Sequence, residues 1–295
     1  MKVGVSGLGI MGLPMAQHLD ASGVDVCGWD VQAGARDRFE KSAASLEELV
    51  ESSSVFLTML PETQHVNDVV DAVIALGPRE NSLFIDCSTI DVAATREIDE
   101  RLQAAGYAFV DAPVSGGAEA AGSGALSFMA GGTSAAIESA RPVLDVLGKK
   151  LVVFGAAGSG QAAKACHNMI CGITALGVCE GFALADSLGL DLESFFQLCK
   201  GAAAQSWVLE NRCPVPGPAP DAPSSHDYAP GFAANLMAKD LRVAQQAAAS
   251  SGQTTAFGAE AARRFTEFAE SLDGEFDFSA IYRTIRQPSD DSESA

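Results

Sequence analysis

Positive charge is what this 295-residue chain has least of: 19 lysines and arginines stand against 38 aspartates and glutamates, a formal net charge of −19. Such a surface repels a phosphate backbone instead of releasing its counterions, which excludes nucleic acid as a partner. Cysteine is sparse and unpatterned. Its seven copies are odd in number and none falls in a C-x-x-C pair, so neither a disulfide framework nor a zinc site is expected, and the thiols point to a reducing, cytoplasmic compartment. The four histidines form no H-x-x-x-H or similar pair, which leaves a metal site without support. Long apolar runs are missing as well. The longest nearly unbroken one, 169–179, falls short of the ~20 residues that a bilayer span needs and reads as a buried helix, so no membrane partner is expected.

What is present is ample material for a core. Apolar residues make up 47% of the chain and mean hydropathy is +0.15, which excludes a disordered polymer and a small disulfide scaffold. At ~150 residues per domain, the length implies one large or two ordinary domains. Residues 1–160 alternate short apolar runs (2–6, 25–29, 55–59, 83–86, 108–111, 127–130, 151–154) with helix-length segments. That alternation predicts an α/β Rossmann domain built on a doubly wound, mostly parallel sheet. From 161 to 288 the texture becomes Ala-rich and helix-periodic (161–187, 192–201, 232–251, 257–272), which predicts an all-α second domain. Five of the twelve prolines crowd into 214–223, which should form a rigid loop, and the acidic residues 289–295 should be a disordered tail.

The first apolar run passes directly into Gly7-Leu8-Gly9-Ile10-Met11-Gly12 and then a helix, the setting that a dinucleotide-binding loop requires. The first glycine makes a tight turn, the second admits a pyrophosphate to the backbone, and the third lets helix and strand pack closely, with Ile10 and Met11 leading into the helix N-terminus that faces the phosphates. Asp30, just past the second run, can accept from ribose hydroxyls and would repel a 2′-phosphate, which favours NAD over NADP. Ser115, Gly116 and Gly117 follow the fifth run and offer a hydroxyl and backbone N–H groups on a flexible loop, a nest for a carboxylate; an ordinary turn is the competing reading. Lys164 and Asn168 stand at i and i+4 on one helix face in surroundings with little other charge. Burial there would lower the lysine pKa toward general acid/base work. His167, about 100° round the helix, reads as a packing residue or one that supports a site residue from behind, and Lys239 as half of an ion pair on a helix surface.

Six blocks in order, GLGIMGLPMA, DCSTID, DAPVSGG, GALSFMAGG, GSGQAAK and LMAKDL, resemble the β-hydroxyacid dehydrogenase family over nearly the whole chain. Trp207, Cys213 to Gly217, Pro223 to Tyr228 and Pro230 to Phe232 resemble its 3-hydroxyisobutyrate branch more than the branches reducing tartronate semialdehyde or glyoxylate. The resemblance implies a Rossmann domain joined to the helical domain through a long central helix, NAD as cofactor, a small β-hydroxy acid as substrate, and a homodimer or homotetramer. It implies Lys164 as the catalytic residue, Ser115, Gly116, Gly117 and Asn168 as substrate contacts, and Leu60, Pro61, Thr89 and Lys239 along the cofactor. Two departures stand out: His167 occupies the first place of a usual Asn pair, and Gln64-His65 replaces an Asn common after the Leu-Pro pair. The alternatives are a serine, tartronate semialdehyde or other β-hydroxyacid enzyme on the same scaffold, an imine reductase, and a non-catalytic cofactor-binding protein.

Overall fold

The computed structural model describes residues 2–78, 82–271 and 274–286. The expected acidic tail lies outside them. Two compact units divide between Lys164 and Ala165.

The first unit grows from strands whose two faces are both covered. β1 (Lys2–Ser6), β2 (Asp25–Trp29), β3 (Val55–Thr58), β4 (Leu83–Asp86) and β5 (Ala108–Asp111) are parallel and lie in the order β2-β1-β3-β4-β5. Strand alternation sends Val5, Leu57, Ile85 and Val110 into one apolar layer and Phe56, Phe84 and Phe109 into the other. Helices α1 (Gly12–Ala21), α2 (Ala33–Arg36), α3 (Leu46–Ser52), α4 (Thr63–Leu76) and α5 (Val92–Ala104) connect these strands. The chain runs from β1 outward to β2 and then returns to β3 on the other side of β1. That reversal opens a crevice at the carboxyl ends of β1 and β3, where open α/β sheets bind ligands.

Beyond β5 the sheet departs from expectation. A two-residue strand, β6 (Val114–Ser115), was not anticipated, and it pairs antiparallel with β7 (Leu126–Gly132), which also runs antiparallel to β5. For the β6–β7 pair the reason is length: 116–125, which holds only α6 (Gly117–Gly122), is shorter than the dozen or so residues of a parallel crossover. After α7 (Ser134–Leu147), β8 (Gly148–Gly155) returns parallel to β7.

α8 (Ser159–Ser187) begins in the first unit and continues into the second. By length and apolarity it could cross a bilayer, contrary to the expectation from the sequence. Its buried Lys164 and Asn168 are hydrogen-bonded to protein groups, which is how a helix of a globular unit treats its polar residues. The second unit adds α9 (Leu192–Lys200), α10 (Trp207–Asn211), α11 (Ala234–Ser251), α12 (Ala256–Ser271) and α13 (Tyr282–Ile285) around Phe182, Met237, Leu241, Phe265 and Phe278. Its Pro-rich loop is pinned from within: Tyr228 donates to the Pro214 carbonyl at 2.6 Å, and Ser224 Oγ reaches the Cys213 and Val215 carbonyls at 2.7 and 3.0 Å. A short 3₁₀ turn starts at its last proline, Pro223.

Candidate functional site

The glycine loop is built by three glycines with different tasks. Gly7 has φ +98°, a conformation open to glycine, and its N–H donates to the Trp29 carbonyl at 2.8 Å. A Cβ on Gly12 would run into the Gly7 carbonyl, so the start of α1 can sit against the turn only because that residue is glycine. Gly9 differs. A Cβ there would meet nothing within 4 Å, so the fold leaves open space over its backbone. That open cradle fits a pyrophosphate approaching the N-terminus of α1, where Met11 stands at the N-cap and Ile10 is 74% exposed.

Asp30 stands just past the end of β2 as expected, yet its carboxylate is already engaged. Oδ2 accepts from Leu8 N–H and Oδ1 from Gln32 N–H, both at 2.8 Å, so Asp30 also clamps the glycine loop to the strand it follows. Arg36 donates to the Asp30 carbonyl at 2.6 Å and places a cation beside it. Across the crevice, half-buried Leu60 follows β3 and donates its N–H to Ser88 Oγ at 2.9 Å; Pro61 is exposed and Thr89 half-buried.

The carboxylate nest expected at 115–117 lies between a short strand and a helix start. Ser115 closes β6 and is in register with Ser127 of β7, while Gly116 (φ +139°) and Gly117 (φ +73°) turn the chain into α6. Lys164 is buried, 8% exposed, and its Nζ donates to the Val114 carbonyl at 2.7 Å. The amine is therefore held at the peptide immediately before Ser115.

In the second unit, buried Asn168 donates from Nδ2 to Asp240 Oδ2 at 2.5 Å, and Lys239 Nζ lies 3.2 Å from Asp240 Oδ1. The Lys239 ion pair exists, but in a buried setting, not on the surface the sequence implied. His167 is exposed and so does not pack, but its Nδ1 lies 2.9 Å from Asn168 Oδ1, which agrees with the other expected role, support of a candidate site residue from behind. With Nδ2 committed to a carboxylate, Asn168 presents Oδ1 to His167, which makes Nδ1 the donor in that bond. His65 and Gln64 are exposed on α4.

Residues 2–155 match the NAD binding domain of 6-phosphogluconate dehydrogenase, and residues 158–285 match the domain described as NAD-binding of NADP-dependent 3-hydroxyisobutyrate dehydrogenase. A probable 3-hydroxyisobutyrate dehydrogenase of Mycobacterium tuberculosis is 40% identical over 288 residues, covering 96% of this chain and 97% of that one. The chain belongs to the β-hydroxyacid dehydrogenase family. Within that family, an NAD-dependent L-serine dehydrogenase of Pseudomonas aeruginosa is 35% identical over 290 residues, with 96% and 97% of the two chains covered. A structure of the Mycobacterium tuberculosis 3-hydroxyisobutyrate dehydrogenase with L-serine superposes with a TM-score of 0.91 at 39% identity, over 97% of this chain and 99% of that one. The protein is an NAD-dependent β-hydroxyacid dehydrogenase.

Sequence reasoning missed the polar groups that hold these parts. Buried Asp86 accepts from Thr58 Oγ1 at 2.8 Å and Ser88 N–H at 3.0 Å, and burial pushes its carboxyl up to about 6. Buried Asp111 accepts from Gly158 N–H at 2.8 Å and Gln161 N–H at 2.9 Å, and burial raises its pKa as well. The one available signal was that two apolar strands, Leu83–Asp86 and Ala108–Asp111, each end in an acid.

Proposed function

We propose that this dehydrogenase oxidises 3-hydroxyisobutyrate to methylmalonate semialdehyde, the step expected in valine breakdown. The observation that carries the reading is the buried Lys164, whose Nζ is held 2.7 Å from the carbonyl that precedes Ser115. NAD supplies the hydride acceptor when bound. Ser115, Gly116 and Gly117 hold the substrate carboxylate through the hydroxyl and backbone N–H groups. Asn168, its amide oriented by Asp240, contacts the substrate, and Lys164 takes the hydroxyl proton as the carbon–hydrogen bond breaks. Gly7, Gly9, Ile10, Met11 and Gly12 cradle the pyrophosphate, Asp30 faces the ribose, and Leu60, Pro61, Thr89 and Lys239 line the remainder of the cofactor. A second reading, L-serine as substrate, draws on the serine dehydrogenase relative and on the relative solved with L-serine.

The test is NADH formation over a panel of β-hydroxy acids, with NAD and NADP side by side. Lys164→Ala should lower turnover by ~10²- to 10⁴-fold while the fold persists. Full turnover by that variant would refute the mechanism, and a preference for L-serine would move the substrate assignment to the second reading. We assign the enzyme to the cytoplasm, a placement that the free state of all seven cysteines supports. We also assign it a homodimer or homotetramer, supported by the exposed Ile170, Leu184 and Leu188 along and just past α8; light scattering on the purified chain tests this.

A further inference from the structure

Gln161 belongs to none of the roles above, yet the polar architecture of the first unit converges on it. The residue is completely buried in the first turn of α8. Its backbone N–H is taken by Asp111 Oδ2, which fastens the start of the helix to the end of β5. Its side chain works on a different strand. Oε1 accepts from Ile90 N–H at 3.2 Å, while Nε2 donates to the Ser88 carbonyl at 2.7 Å and lies 3.4 Å from Asp86 Oδ2. These bonds bracket Thr89. Ser88 in turn accepts from Leu60 N–H, so one amide closes a path from the end of β3, through the segment after β4, to α8. Three residues further along α8, on the same face, is Lys164.

The position demands both hydrogen-bonding characters at once. It must accept from one backbone group and donate to another in a space without water's freedom to compensate, and only a side-chain amide of this length does so. Simple helix packing would be served equally by a methionine. We propose that Gln161 is a positioning residue for the dehydrogenase reaction: it holds the loops of Leu60 and Thr89 in register with the turn of α8 that carries Lys164. The inference rests on the roles proposed above for those residues.

Three measurements on Gln161→Met and Gln161→Glu test it: thermal midpoint, NADH Kd by fluorescence titration, and kcat with KM for NAD and for the hydroxy acid. Gln161→Met keeps the volume and deletes the bonds. It should raise the NADH Kd and lower kcat by about tenfold each or more, with KM for the hydroxy acid nearly unchanged, because a small misplacement of reacting groups is costly. In Gln161→Glu the new carboxyl can donate only when protonated, so its NADH affinity should recover toward wild type between about pH 8 and about pH 5.5. Gln161→Met at the same pH values controls for the titration of Asp86. Wild-type Kd and kcat in Gln161→Met would overturn the proposal. If that variant does not fold, a pH-independent Kd in Gln161→Glu would overturn it equally. The underlying reading fails elsewhere, in wild-type turnover and in Lys164→Ala, so the two failures are distinguishable.

Discussion

The two units bury carboxylates in different company. In the first, Asp86 and Asp111 are held by hydroxyls and amide N–H groups, and burial drives both pKa values up. In the second, a cation joins the neutral donors: Asp240, which also accepts from Asn168, has Lys239 at 3.2 Å, and Asp277, which also accepts from Gly231, Phe232 and Ser279, has Arg212 at 3.3 Å. Neutral donors leave the desolvation of a carboxylate only partly offset, whereas a cation adds Coulomb attraction and makes each partner dependent on the other. The first arrangement is tuned by pH and tolerates exchange of a donor; the second should fail abruptly when one member is removed.

The sharpest way to break this contrast is Asp240→Ala, which removes one carboxylate from half-buried Lys239 and from buried Asn168 together. It should cost about 3–5 kcal/mol in chemical denaturation, the penalty for leaving one side of a buried pair. A loss under about 1 kcal/mol would mean that the pair is effectively solvated.

Asp86→Asn probes the other arrangement. Because Asp86 titrates at about 6 in the native state, the folded protein holds this proton more tightly than the unfolded chain does. Wild-type stability should therefore fall, by at most about 3 kcal/mol, as pH rises from about 4 to about 6, and level off above. The variant should lack that slope, and denaturation midpoints at a series of pH values decide the matter.

Within the first unit, the glycines separate folding from ligand binding. Gly12→Ala forces a methyl group into the Gly7 carbonyl and should destabilise by about 1–3 kcal/mol. Gly9→Ala meets no protein atom within 4 Å and should leave the thermal midpoint unchanged while weakening NADH binding. Equal effects of the two on stability would contradict the cradle. The smallest expected change is in cofactor choice. Asp30→Ser removes the carboxylate but leaves Arg36 in place, so NADP use should rise relative to NAD by roughly tenfold, about 1.4 kcal/mol, in kcat/KM.

Much of the first unit was legible because its signals are local. Strands 2–6, 25–29, 83–86 and 108–111 have the same bounds in the structure, since a covered parallel strand is a short, continuous apolar run. The glycine loop was legible because its spacing directly after a strand is itself a local pattern, even though Gly7 bonds Trp29 and Gly9 faces open space. β6 was not, because two residues carry no periodicity and its pairing partner lies beyond α6. For His167 the sequence left packing and support of a site residue both open, because helical phase gives an angle around α8 without saying what covers that side. Gln161 escaped notice because nothing in an Ala-rich helix start announces partners 71 to 75 residues away.

By itself, then, the sequence determined the alternation of strand and helix, the change to an all-helical second half, the turn geometry of the cofactor loop and the identity of the candidate lysine. These depend on backbone conformation and periodicity, which act over a few residues. The shortage of positive charge that marks the chain says nothing about where its few cations go. Only the tertiary structure decided that Lys164 meets the Val114 carbonyl, that Lys239 is paired in a buried setting, and that Asp86, Asp111 and Gln161 tie three strand ends to one helix. A buried polar group must find its partner wherever folding brings one, and that partner is set by topology, not by distance along the chain.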